Sequence, residues 1–412
     1  MTETAADPLF DSEVLEQPYS YYALLRKCDP VHMVEGTNAY LVSRLDLIQE
    51  VVANPHIYSS QSSEFLYLSE SNRPGLRSPG HSGGSDVEMP GVLATADPPA
   101  HGRQRRILSS LLSAGAINAR EDEFRALINR AFEIKLVSSR VEWMADIAEP
   151  LPMAIVARLL GVPDDAAPAL KEQGYASVEQ ISGFVSEERS HLLLEKMMEL
   201  GRVIEAYAEA RSSEIPDSST VIGLCARAVA DGELDDMEAF GILGLLLAAG
   251  GESTTSLLGT TVRILAERPE LQDRLRSDPE LIPTFVEEAC RLDPPFRGHY
   301  RQVAIDTTLG GVDIPARSRL VLLWPAANRD ESLCAKPDQL DLGRTNPRHH
   351  LGFGWGIHLC VGAPLARLEA RVVLEELLAR TSAFSIEAGE LLRHHKSLMV
   401  RRLVTLPLEI NW

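Results

Sequence analysis

The chain has 412 residues, 45% of them hydrophobic, and 40 Lys+Arg against 59 Asp+Glu give a formal net charge of −19. That composition excludes wholesale disorder, collagen and a disulfide scaffold, and the acidic balance makes nucleic acid a poor partner. Cys28, Cys225, Cys290, Cys334 and Cys360 are odd in number, scattered and without C-x-x-C spacing, which suits a reducing cytoplasm better than a disulfide framework.

No basic and apolar leader opens the sequence, and no uncharged apolar run reaches about 18 residues, so neither export nor a membrane span is expected. No repeat or linker divides the chain, and a single domain over 1–412 is expected. After short helical patterns, Pro30-Val31-His32-Met33-Val34, a turn at Gly36-Thr37-Asn38 and Ala39-Tyr40-Leu41-Val42 read as a hairpin. Residues 68–92 hold five Gly, five Ser and three Pro among 25 positions, which predicts a long loop. Its apolar ends, Phe65-Leu66-Tyr67 and Val92-Leu93, favour a mobile lid near a substrate entrance over a plain surface insertion.

In Asp97-Pro98-Pro99-Ala100-His101-Gly102-Arg103-Gln104-Arg105-Arg106, Asp97 is a candidate N-cap, and His101 and Arg105 at i and i+4 share one face. Such a pair suits a dianionic ligand edge, although alone it is more often a basic helix face. From about 98 to 290 nearly everything has helical period, as at Phe124–Phe132, Ala145–Leu160 and Glu195–Arg211. The longest candidate runs from about Met237 to Glu267, capped by Asp235 or Asp236 and stopped by Pro269, ~45 Å at 1.5 Å per residue. At its centre Gly250 and Gly251 each cost about 1 kcal/mol against alanine. Either another helix packs closely there, or the helix opens beside a ligand with Glu252, Ser253 and Thr254 at the edge. Glu288-Ala289-Cys290-Arg291 sets a carboxylate and a guanidinium at i and i+3, a spacing most often found in solvated pairs. Late strands are expected at Thr308–Ile314, Arg319–Trp324 and Leu398–Leu408, so the fold class is mainly α with a minor β portion.

The most informative stretch is Phe353-Gly354-Trp355-Gly356-Ile357-His358-Leu359-Cys360-Val361-Gly362, followed by Ala363-Pro364-Leu365-Ala366-Arg367-Leu368-Glu369. The first two glycines release the backbone into a tight turn, and Gly362 lets the chain run close to a flat object. A helix with Pro364 in its first turn continues to about Arg380, so loop and helix span 353–380. A thiolate at that helix start would gain from free N–H groups and the dipole, which predicts a low-pKa sulfur. A lone cysteine is more often a buried apolar residue, and a zinc site with His349, His350 and His358 lacks a second cysteine. The whole frame F-G-x-G-x-H-x-C-x-G, however, arises by chance on the order of once in a million such chains.

Over essentially its whole length the chain resembles the cytochrome P450 superfamily, soluble bacterial type, most like an actinobacterial, mycobacterium-like group. The resemblance implies a triangular helical body around a buried haem b, with Cys360 as the thiolate ligand of the iron, framed by Phe353, Gly354 and Gly362. It implies haem propionate contacts from His101, Arg105, Arg301 and His358, and a structural ion network of Glu288, Arg291 and Arg344. Ala249 and Gly250 would face the distal haem, Glu252 would be the acid, Ser253 the alcohol, and Thr254 a neighbouring donor. Ser253 stands where threonine is usual, Trp355 where histidine is common, and Leu340 where phenylalanine is. By analogy the substrate pocket draws on Phe65, Leu66, Val92, Leu93, Leu246, Pro295, Phe296, Leu398 and Met399, with the stretches 175–185 and 295–299. Arg103, Arg106 and Arg367 would form a basic docking patch for a small acidic electron donor.

The implied activity is hydroxylation of an apolar small molecule (lipid, terpenoid, steroid or secondary metabolite) with O2. Electrons would come from NAD(P)H through a ferredoxin reductase and ferredoxin, because no G-x-G-x-x-G follows a strand and no length remains for a flavin domain. A cytoplasmic monomer is expected. The rivals are a peroxide-driven fatty acid hydroxylase or decarboxylase, against which the acid–alcohol pair argues, and a haem-binding sensor without turnover.

Overall fold

The computed structural model describes residues 7–78, 91–199, 201–213 and 216–412. Its spine is the helix Asp236–Glu267. Asp235 caps it by accepting from Glu238 N at 2.7 Å, while Glu238 Oε2 accepts from Asp235 N at 3.2 Å, a reciprocal capping box. An 18-residue window of this helix is apolar and long enough to cross a membrane, yet 56% of it is buried inside the protein. What buries it are the helices Pro150–Leu160, Ala167–Gln180, Ile282–Leu292 and Ala363–Arg380, packed around it. The largest apolar core lies among these helices and includes Phe124, Phe132, Trp143, Leu258 and Phe285.

The β portion is set to one side. A five-stranded sheet has the order Val31–Met33, Ala39–Val42, Arg319–Leu323, Gly298–Val303, Tyr58–Ser59, with only the Ala39–Val42 and Arg319–Leu323 pair parallel. Strand Gly298–Val303, held on both edges, carries its alternate side chains towards the helical body. A second sheet joins Ala383–Ile386, Pro407–Asn411 and Arg140–Glu142.

Several boundaries differ from the sequence expectation. Within 68–92, Pro74–Arg77 pairs with Phe65–Leu68 as a hairpin turned at Asn72 (φ 59), a residue that tolerates the left-handed region; 79–90 lie outside the described residues. The stretch Ala145–Leu160 begins with a π-helical turn, Met144–Ala148, ahead of the α-helix that Pro150 opens. Glu195–Arg211 divides into Glu187–Met198 and Gly201–Ser212. Leu398–Leu408 is no continuous strand. Leu398 N bonds Ser182 O and Arg401 N bonds Pro295 O, so the segment crosses to other elements with single bridges at Val400 and Leu403, and a continuous strand begins only at Pro407. Asp97 caps nothing: its carboxylate accepts from Ser60 N at 2.9 Å and from the Ser59 hydroxyl, and the helix begins at Ala100.

Candidate active site

Beneath the long helix lies a cavity of about 490 Å³. Leu245, Leu246, Ala249, Gly250, Ser253 and Thr254 face it from that helix, and Phe353, Gly354, Trp355, His358, Cys360 and Gly362 face it from the loop opposite. Phe65, Leu93, Pro295, Phe296 and Met399 complete an apolar wall.

The loop conformation depends on its glycines. Gly354 (φ +74) and Gly356 (φ +70) are left-handed, and Cys360 N–H closes the turn on Phe353 O at 2.8 Å. A methyl at Gly352 would lie 2.6 Å from Cys290 Sγ and 2.7 Å from its carbonyl oxygen, so glycine is what lets the loop settle against helix Ile282–Leu292. At Gly362 an added methyl would meet nothing nearer than Cys360 Sγ at 3.9 Å, so the backbone runs open beside the sulfur. Helix Ala363–Arg380 starts at once, with Pro364 in its first turn, and the N–H groups of Gly362 and Ala363 reach the sulfur. Against the expected low thiol pKa, Cys360 is open to the cavity, yet the protein packed around it pushes the thiol above its ordinary value, and those two N–H groups with Arg105 and Arg367 pull the other way. Desolvation of an anion exceeds what one helix start returns. Among the described residues no metal-binding cluster of three His, Cys, Asp or Glu exists, which removes the zinc reading.

A basic rim surrounds one end of the cavity. His101 and Arg105 reach it from helix Ala100–Leu112, Arg301 from the strand and His358 from the loop, the two imidazoles 4.2 Å apart at their centroids. Among the described residues none of the four has an ion-pair partner. Arg301 is buried, donates to Tyr300 O at 2.8 Å, and is lowered to about 10 by burial. Burial, then Arg301, holds His358 at about 3; its Nε2 meets Ser60 Oγ at 2.9 Å and its buried Nδ1 has no partner. Uncompensated donors around a cavity floored by a thiol fit haem, whose carboxylates would supply the missing anions.

One member of this rim, His299, stood in the sequence reading only as part of the pocket stretch 295–299. Trp324 Nε1–H donates to His299 Nδ1 at 2.6 Å, and tryptophan can only donate, so the His299 proton sits on Nε2. His299 lies two residues before Arg301 on the same strand face and lines the same cavity; burial, then Arg301, lowers it to about 4. The alternate spacing of His299 and Arg301 was the available signal.

The long helix does not open at its glycines. It is continuous, and the close-packing alternative accounts for them: a methyl at Gly250 would lie 2.6 Å from Val156 Cγ2, and one at Gly251 2.5 Å from Met153 Cε. Ser253 Oγ donates to Ala249 O at 2.7 Å inside the cavity, with Thr254 beside it. Glu252 points elsewhere. It lines a second cavity of about 540 Å³ with Tyr175, Glu179, His395, Lys396 and Arg402. Arg402 Nε donates to Glu252 Oε1 at 3.1 Å and Arg402 Nη1 to Glu149 Oε1 at 2.9 Å. Burial raises the Glu252 carboxyl, and Arg402 moderates the rise.

On helix Ile282–Leu292, Glu288 accepts from Arg291 at 2.7 and 2.8 Å, from Arg344 at 2.6 Å and from Asp341 N at 3.0 Å. Arg291 also donates to the carbonyls of Asn328, Pro337 and Gln339. The network ties this helix to the irregular segment ahead of the thiol loop.

Three residues assigned to the pocket are not in its wall. Leu66 alternates away from Phe65 into a separate core, and its N–H meets Tyr300 Oη at 3.1 Å. Val92 packs on Gly241, leaving Leu93 to face the cavity, and Leu398 packs on Gly183 while Met399 turns inwards. Of the residues expected to form the basic patch, Arg103 pairs with Glu238 and Arg367 with Glu287 at 2.6 Å, while Arg106 is largely exposed with only a long contact to Glu233 at 3.6 Å. An excess of acids over bases makes such pairing the default.

A helical body with a thiol facing a long helix, and a basic rim between them, defines an oxidoreductase of the haem-thiolate class. The chain belongs to the cytochrome P450 family, whose description matches residues 184–407, and it is a P450 monooxygenase with haem iron as the family's cofactor. It is 38% identical over 408 residues to "Cytochrome P450 144" of Mycobacterium tuberculosis, covering 98% of this chain and 92% of that one. It is 30% identical over 392 residues to the beta-dihydromenaquinone-9 omega-hydroxylase of the same organism, covering 94% and 75%. Among solved structures, CYP109E1 of Bacillus megaterium in complex with testosterone superposes with a TM-score of 0.82 at 26% identity, covering 98% of this chain and 100% of that chain.

Proposed function

We propose that this chain hydroxylates an apolar small molecule of lipid or steroid-like character, with electrons from a ferredoxin and its reductase. The observation that carries this reading is a single cavity holding the Cys360 thiol, an uncompensated basic rim and a wall dominated by leucine, with valine, alanine and phenylalanine. The menaquinone hydroxylase and the testosterone-bound neighbour support an apolar substrate.

In this reading Cys360 holds the iron, Phe353, Gly354 and Gly362 frame the sulfur, and His101, Arg105, Arg301 and His358 hold the propionates. Glu288, Arg291 and Arg344 brace the approach to the loop. Haem, when bound, supplies dioxygen activation and oxygen insertion into a C–H bond. The apolar wall orients the substrate and excludes water from its reacting end. Ser253 keeps its hydroxyl proton on the Ala249 carbonyl, poised within the cavity, and Thr254 offers a second hydroxyl. Burial raises the Glu252 carboxyl against the pull of Arg402, which makes it a readier proton carrier than an exposed glutamate, and the charged cavity on its side of the helix gives that proton a route. Arg402 sets how firmly that carboxyl is retained.

The test is a carbon monoxide spectrum of the reduced protein, followed by a screen of apolar compounds for a low-to-high-spin shift and for product with surrogate ferredoxin and reductase. A thiolate-type spectrum with hydroxylated product is expected. No thiolate-type spectrum after haem supplementation refutes the cofactor assignment, and a full screen with neither shift nor product refutes the substrate class.

A further inference from the structure

We propose that Glu287 is a positioning residue for the thiol loop, gripping His350 ahead of Cys360 and Arg367 behind it so that both ends of the loop stay seated on helix Ile282–Leu292. The inference rests on the reading that Cys360 holds haem iron.

Glu287 and Glu288 are consecutive, both buried, and on a helix their side chains diverge by about 100°. Their partners do not overlap. Glu288 holds Arg291 and, in the segment ahead of the loop, Asp341 N and Arg344, whereas Glu287 serves the loop itself. Glu287 Oε2 meets His350 Nε2 at 2.9 Å, and His350 Nδ1 accepts from Gly352 N–H at 3.0 Å. That second bond requires a bare Nδ1, so the proton lies on Nε2 and His350 donates to Glu287.

On the far side of the cysteine, Arg367 Nε donates to Glu287 Oε1 at 2.6 Å and Arg367 Nη2 to Oε2 at 3.1 Å, a bidentate clasp. The same guanidinium covers the Phe353 ring at 4.4 Å, and Phe353 O accepts the Cys360 N–H at 2.8 Å. The contacts form a circuit: carboxylate to imidazole to Gly352, carboxylate to guanidinium to Phe353, Phe353 to Cys360.

Three N–H groups converge on two carboxylate oxygens, and only a carboxylate accepts them all. An amide at this position has one acceptor oxygen and would aim its NH2 at a donor. The bonds from His350 and Arg367 hold Glu287 below the usual carboxylate range although burial works against them.

The experiment compares holoenzymes of wild type, Glu287→Gln, Glu287→Asp and Arg367→Met. The readouts are haem transfer to an acceptor apoprotein, the thiolate-ligated share of the reduced carbon monoxide spectrum, the ferric/ferrous potential and the thermal midpoint. Glu287→Gln should release haem roughly tenfold faster, lose thiolate-ligated share and raise the potential by removing an anion near the sulfur. Glu287→Asp should recover part of each change, and Arg367→Met should show a smaller loss of the same kind. Wild-type haem release, spectrum and potential in Glu287→Gln, with only a lower thermal midpoint, overturn the proposal. If Glu287→Gln does not fold, an Arg367→Met protein with wild-type release and spectrum overturns it instead. A wild type lacking any thiolate-type spectrum overturns the cofactor reading, and this proposal with it.

Discussion

Alanine substitutions at the two adjacent glycines of the long helix should have opposite signs. In a helix interior each change gains about 1 kcal/mol of backbone propensity. At Gly251 the new methyl would lie 2.5 Å from Met153 Cε, the free end of a flexible side chain that can swing away, so most of that gain should survive. At Gly250 it would lie 2.6 Å from Val156 Cγ2, on a β-branched side chain with one favoured rotamer. Overpacking of that kind costs about 1–3 kcal/mol, which leaves Gly250→Ala net destabilising by roughly 0–2 kcal/mol. Thermal midpoints of the two holoenzymes and of a Gly250→Ala, Val156→Ala double variant decide the matter. The double variant should lie above the sum of its singles, because the deleted valine methyls are the ones that clash. Equal effects at both glycines, or no relief from Val156→Ala, would refute the packing explanation and restore a helix opening as the reason for the pair.

Ser253→Ala removes the hydroxyl bonded to Ala249 O, and peroxide formed per NAD(P)H consumed should rise while product falls; unchanged coupling rejects a role for that proton. His299→Ala should weaken binding of metal-free protoporphyrin to the apoprotein roughly tenfold, the worth of one charge-assisted hydrogen bond of about 1.5 kcal/mol, and leave the dimethyl ester unaffected, as read by porphyrin fluorescence. Asp293 accepts from Tyr19 and Arg401 at 2.6 Å and from Arg263 at 3.1 Å, so Asp293→Asn should cost about 3–5 kcal/mol in urea unfolding at neutral pH. Burial alone would raise the Asp293 carboxyl, but the arginines hold it well below the usual carboxylate range. Its stabilisation is therefore complete above about pH 4 and is lost as pH falls towards the folded value, so the penalty of the variant should shrink in acid.

Much of this molecule could be read from periodicity and spacing. The long helix and its Asp235 cap follow from local rules, as does the early hairpin, because helical period and capping chemistry are set within a few residues. The glycine frame marked the thiol loop for a similar reason: left-handed positions at Gly354 and Gly356 restrict residue type directly. Contacts between distant segments were not legible. Glu287 sits beside a recognisable pair yet finds its own partners 63 and 80 residues away, and no local pattern announces them. Leu66, Val92 and Leu398 were placed a residue off the wall because a sequence shows that neighbours alternate, not which of two adjacent apolar faces meets the cavity. Asp97 had the composition of a cap, and the nearby serines took its carboxylate instead.

The long helix is also a partition. Its Ser253 face belongs to the greasy chamber and its Glu252 face to the charged one. Among the described residues only Val178 lines both cavities, so on the proposed reading the walls of the greasy chamber that lie away from it can be reshaped for a bulkier guest without altering the charged one.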